Sequence, residues 1–128
     1  MPSSYDRSIL LDLGVFSADN KYRRNIGAFG FNYLSSDAKI GSLQATLVPS
    51  ASYTWSLGTT LTKVVVVTVD GTFTNKTTAV VTTRTGPSTT VTNTIAVTKL
   101  LVLDDDVQQI VFTNTDTTNA VRLALYYC

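Results

Sequence analysis

The chain has 128 residues, 44% apolar and 15% charged, with a formal net charge of +1. That length and apolar content support one domain with its own core, and the charge balance offers no pull toward nucleic acid, an acidic substrate or a charged membrane surface. There is no histidine, and the single cysteine is Cys128, so neither a zinc site nor a nucleophile–histidine system can be built.

One cysteine cannot form an internal disulfide. Cys128 is therefore expected to be a surface thiol, with an intermolecular bridge as the sharper reading. All nine acidic residues are Asp, and 22 threonines stand against five Lys, five Arg and three Gln. The straight-chain helix formers are scarce, whereas Thr and Val are stiff at χ1 and fit a pleated surface. The expected class is all-β: an antiparallel β-sandwich or jelly-roll-like domain with an extended N-terminal arm. The opening MPSSYDRSILLDLG lacks the basic-then-apolar layout of a secretory signal. An apolar run such as Val64–Val67 is far shorter than the ~20 residues of a membrane helix. The expectation is a soluble protein made in the cytoplasm.

Residues 1–35 read as an arm or long loop, and 36–128 as the sandwich. The arm holds short apolar clusters, Ile9-Leu10-Leu11 and Val15-Phe16, punctuated by Gly14, Gly27 and Gly30. A short strand is expected at Phe29–Tyr33, and a single helical turn at Ser8–Leu13 is the alternative there. Lys21-Tyr22-Arg23-Arg24 is a small basic patch, nearly cancelled by Asp6, Asp12 and Asp19.

Past Lys39, Ile40–Val48 reads as a strand ended by Pro49-Ser50, with Ser52–Leu57 as its return partner. Leu61–Val69 lacks polar alternation and is expected to be buried on both faces. Asp70-Gly71 signals a two-residue hairpin, with Thr72–Thr74 or Thr78–Arg84 pairing back. Gly86-Pro87-Ser88 marks the next turn. Val91–Tyr127 then reads as a three-stranded meander, broken at Asp104-Asp105-Asp106 and at Thr115–Asn119. In its last run Val121, Leu123, Leu125 and Tyr127 share a face, while Arg122 and Tyr126 point away.

Few residues invite chemistry. Asp104, Asp105 and Asp106 offer hard oxygens to calcium or an acidic pair for glycoside cleavage; the plainer reading is a solvated turn. An enzyme would need Asp37, Asp70 or the Asp104–Asp106 group to converge in a cleft. Asn75-Lys76-Thr77 matches a glycosylation acceptor but reads as a turn. Tyr53, Trp55 and Tyr126 are the residues a glycan-binding surface would use, although a lone Trp between strands belongs more often to a core. No catalytic residue and no cofactor is expected.

Three stretches, Ile95–Leu103, Val107–Asn114 and Ala120–Tyr127, together with the Thr/Val/Asn-rich texture, resemble small β-sandwich virion proteins of tailed bacteriophages. The resemblance implies a non-enzymatic capsid decoration (cement) protein, or a fibre or adaptor component. Such a protein would be a homo-oligomer, usually a trimer, bound to another virion protein such as the major capsid protein. The alternative is a glycan- or receptor-binding module of a fibre or tail tip. An arm rich in apolar clusters cannot bury itself alone. The expected partner-contacting residues are therefore Ile9, Leu10, Leu11, Phe16, Tyr22, Arg23, Arg24, Phe29 and Tyr33.

Overall fold

The computed structural model describes residues 7–16, 18–19, 21, 23–33, 41–58, 60–71 and 77–128. Among the described residues there are nine strands and no helix: β1 (Arg7–Phe16), β2 (Arg23–Tyr33), β3 (Gly41–Leu47), β4 (Ser52–Ser56), β5 (Thr62–Asp70), β6 (Thr77–Arg84), β7 (Thr90–Val97), β8 (Leu100–Asn114) and β9 (Val121–Tyr127). All pairings are antiparallel. The chain divides into two compact units, Met1–Ala38 and Lys39–Cys128.

The first unit is a two-stranded ribbon, β1 against β2. This corrects the irregular arm and the helical turn at Ser8–Leu13, and it absorbs the short Phe29–Tyr33 strand into a longer one. The apolar clusters of the two segments fall opposite each other, Ile9 with Phe31 and Leu11 with Phe29. Cross-strand pairs of this kind are what stabilise a sheet. The register shifts between Leu13 and Gly14, opposite Gly27, which takes φ 134°. The glycines therefore mark a bulge inside a ribbon rather than breaks in a loop.

In the second unit the strands run in the order β3-β9-β5-β8-β6-β7, with β4 also paired to β8. The hinge of this arrangement is β8. Its first part, Leu100–Asp104, pairs with β5. Its second part lies between β4 and β6. The β5 register slips between Thr62↔Val107 and Val64↔Asp104, and the β6 register slips between Thr82↔Gln109 and Thr83↔Val107. An extra residue bends a strand and changes which face its side chains take. Accordingly Leu101 and Leu103 reach the core from the first part, Val107 from the bend, and Ile110 and Phe112 from the second. A strand that bends this way lets one sheet fold over into two layers, the usual corner of a β-sandwich. One core draws on both: Leu47, Val65, Val67, Val69, Leu123 and Leu125 from one side, Trp55, Ala79, Val81, Ile110 and Phe112 from the other. The rings of Trp55 on β4 and Tyr127 on β9 sit 5.3 Å apart between centroids and join the layers.

The bend overturns the meander. β7 pairs with β6, β8 with β4, β5 and β6, and β9 with β3 and β5. Asp104–Asp106 is no turn but part of the bulged middle of β8, and the first expected strand of the meander, from Val91 to Leu103, is broken instead at Thr98-Lys99. β3 and β4 are likewise not partners, because one pairs with β9 and the other with β8. The Asp70-Gly71 hairpin with Thr78–Arg84 also fails, since that segment pairs with β7 and β8; Thr72–Thr74 lies outside the described residues. β5 already has β8 on one edge and β9 on the other, which leaves no edge for a returning strand. Gly71 sits at φ 153°, and a Cβ there would lie 2.9 Å from the Ala120 carbonyl oxygen; the glycine serves close backbone approach.

Two expectations hold. Of the expected Leu61–Val69 run, Val64, Val65, Val66 and Val67 are all buried, while Lys63 and Thr68 near its ends are exposed. The β6–β7 hairpin closes through the Gly86–Ser88 turn, where the Thr85 amide donates to the Thr89 carbonyl at 2.9 Å. Cys128 departs from expectation, for it is buried. Its amide donates to the Val64 carbonyl and its carbonyl accepts from the Lys63 amide, each at 3.2 Å. These bonds carry the β9 ladder one step past Tyr127 and draw the thiol residue onto β5.

Candidate interaction surfaces

The ribbon carries the residues expected to meet a partner. Leu10 is 71% exposed, an unusual state for a leucine. Leu11 is half-buried, and Asp12 and Arg24 are exposed. The register sets Arg7 opposite Tyr33, Leu10 opposite Gly30, Phe16 opposite Arg23 and Val15 opposite Arg24. Alternate positions 9, 11 and 29, 31, 33 thus concentrate the aromatic and aliphatic residue types. Tyr22 lies outside the described residues. In the basic patch, the Lys21 amide donates to Asp19 Oδ1 at 3.1 Å, and its ammonium lies 4.0 Å from the other oxygen.

The aspartate triplet does not converge on a point. Asp104 and Asp105 are exposed and Asp106 half-buried. Asp106 takes the Lys63 ammonium as an ion-pair partner, and Asp105 Oδ1 accepts its amide at 2.7 Å. Among the described residues no group of three or more His, Cys, Asp or Glu is placed to hold a metal ion. The lysine, a fixed positive charge beside the triplet, offsets the field that calcium needs.

A tighter polar cluster lies at the β8–β9 turn, where no site residue was expected. Asp116 is 0% exposed. Its Oδ1 accepts from the Thr118 amide and hydroxyl and from the Asn119 amide, each at 2.9 Å. Asn114, also 0% exposed, donates through Nδ2 to the carbonyls of Leu47 at 3.1 Å and Asn119 at 2.9 Å. Its Oδ1 accepts the Asp116 amide at 3.0 Å. The Ser50 amide donates to the Asp116 carbonyl at 3.1 Å. The cluster fastens the β3–β4 turn to the β8–β9 turn and spends its bonding groups internally. The signal was present as Asn114-x-Asp116-x-x-Asn119 in NTDTTN. Side chains of this type bond their own backbone two or three residues on, so the pattern is a structural clasp.

The aromatic platform for a glycan does not form from the residues expected to make it. Trp55 is 5% exposed in the core, and Tyr53 packs against that core. Tyr126 is 43% exposed, at a β9 position whose neighbours Leu125 and Tyr127 belong to the core side. Asn75 and Lys76 lie outside the described residues, and Thr77 opens β6 fully buried. A shallow cavity of about 530 Å³ opens over Gln44, Thr46, Thr68 and Ala124. Its two charged lining residues, Asp70 and Arg122, are bound to each other.

Sheet edges are the remaining surface. β4 is a short edge of five residues. Among the described residues β8 before its corner pairs with β5 alone, and Asp104–Asp106 and the bulge close that stretch, both devices that discourage strand addition. β7 has neither. It extends over eight residues with β6 as its neighbour, and Thr90–Thr94 are all exposed. No charged residue occurs between Arg84 and Lys99. No protein-family model, curated protein or solved structure matches this chain, so its reading rests on the surfaces just described.

Proposed function

We propose that the protein is a non-enzymatic structural component of a virion that assembles with itself and lies on a capsid or tail surface, as a decoration or cement protein does. The observation that carries this reading is the β1–β2 ribbon. It belongs to a unit distinct from the sandwich, and a two-stranded hairpin is marginal in water unless its apolar side is covered. Its residue types at positions 9, 11, 29 and 31 are those a neighbouring surface would cover. The sandwich supports the same reading from the other side. Its polar clusters are closed on themselves, Asn114 with Asp116 and Lys63 with Asp106, and its surface is threonine-rich, suited to packing rather than to reaction.

In this reading both faces of the ribbon make contacts, Leu11 on the face of positions 9, 29 and 31 and Leu10 on the opposite one, and the ribbon docks on a copy of the chain or on the shell protein. The sandwich serves as a rigid spacer. The test is the native mass of the purified chain, followed by co-sedimentation with phage heads and with tails. A multiple of 13.8 kDa that pellets with one of them, and that Leu10→Asp releases, is expected. A chain that pellets with neither overturns the reading.

A further inference from the structure

We infer that the β7 edge is a self-association site, at which a second copy of the same strand adds antiparallel about a two-fold axis centred on Asn93. The inference does not depend on the virion reading. An exposed, flat, uncharged strand edge offers a row of unpaired amides and carbonyls to another strand, and proteins ordinarily blunt such edges with charge, proline or a bulge. β7 holds none of these, while β8 carries three aspartates and a bulge at its corner. β3, the other terminal strand, is also uncharged, but its Leu47 is buried in the core and its Leu43 packs against it, whereas Val91 on β7 is 42% exposed.

The pattern of β7 selects the occupant. Its register with β6, Val81↔Asn93, Thr83↔Val91 and Ala79↔Ile95, puts the odd-numbered positions on the core side, since Ala79, Val81 and Val97 belong to the core. Yet Val91 is 42% exposed and Ile95 only half-buried, so the apolar inner face of the sheet runs out at β7 without cover. Residues directly opposite in an antiparallel pair share a face. A two-fold pair that keeps inner faces together must therefore match odd with odd. Centring it on Asn93 sets Val91 against Ile95 of the second copy, twice over, and Thr92 against Thr94 on the outer face. The amide side chains of Asn93 meet each other at the axis. A strand that is neutral throughout meets no repulsion from its own copy, and the match needs no second sequence. A second copy of this chain is thus the partner the edge fits.

Full-length variants test the register. Asn93→Cys brings like thiols opposite each other. The Cα separation across an antiparallel pair is about 4.5–5.5 Å, inside the ~4.4–6.8 Å disulfide window. Under mild oxidant it should yield a covalent dimer on a non-reducing gel. Thr92→Cys and Thr94→Cys alone should not, and the two mixed should. Asn93→Lys places like charges on the axis and should halve the native mass with the melting temperature kept. Leu10→Asp should leave the position-93 cross-link intact, which separates this contact from the ribbon's. A wild-type chain monomeric at high micromolar concentration overturns the inference. So does cross-linking as strong for Thr92→Cys alone as for Asn93→Cys; this arm decides the matter if Asn93→Lys fails to fold.

Discussion

The ribbon of residues 7–33 and the sandwich of residues 41–128 are made from the same elements, antiparallel strands rich in β-branched and aromatic residues. They differ in what lies on their faces. In the sandwich, β5 has neighbours on both edges, its residues Val64–Val67 are all buried, and Trp55 and Tyr127 tie one layer to the other. The ribbon has two strands and an exposed Leu10. Strand pairing alone supplies hydrogen bonds, which are worth little net in water, whereas burial supplies the driving force. The sandwich encloses a core of its own, whereas the ribbon taken by itself is two strands, a number marginal in water.

The contrast can be broken hardest at Leu123, which is 4% exposed in the core. Leu123→Asp places an unpaired charge there, at a cost well beyond the ~2–5 kcal/mol of a simple truncation. Soluble yield should vanish; a soluble chain with the parental melt overturns this core assignment. Next comes Asn114→Ala, which strips the partners from buried carbonyls of Leu47 and Asn119. A loss of about 2–4 kcal/mol, read by urea unfolding, is expected from two or more orphaned groups. Gly41→Ala drives a methyl into the Tyr127 ring; repacking beside Trp55 should cost about 1–2 kcal/mol and shift the tryptophan emission. A change in the opposite direction is expected from Thr77→Val. The Thr77 hydroxyl is buried without a hydrogen-bond partner, so an apolar isostere should raise stability by about 1 kcal/mol. Smallest in stability is Leu10→Asp, within about 0.5 kcal/mol as at other exposed sites. Its effect should appear instead as lost association in native mass measurements, and an unchanged assembly would remove the ribbon from the interface.

Much of the strand content was legible along the chain, because period-two alternation and β-branched runs are local. Val121, Leu123 and Leu125 point inward as their spacing predicted, and Gly86-Pro87-Ser88 turned where turn chemistry demanded. The interaction surfaces were legible only in part. The apolar clusters at Ile9–Leu11 and Val15–Phe16 singled out the N-terminal segment, but their mutual pairing as a ribbon was not visible from either cluster alone. The β7 edge was hidden, since nothing in TVTNTIAV says which strand will lie outermost.

The sequence by itself determined the all-β class, the burial of the Val64–Val67 run and the absence of histidine-dependent chemistry. Those follow from residue types and their spacing. Only the tertiary structure decided who pairs with whom. β8 needed to touch β4, β5 and β6 at once, and β9 to join β3 with β5. Such contacts join residues far apart in the chain, and their energy comes from a core that exists only when both layers close over it. For the same reason three aspartates that read as a turn became the corner of a sandwich. With β5 and β6 holding the two parts of β8 in different layers, its middle had to bend, and the charged residues took the exposed outside of that bend.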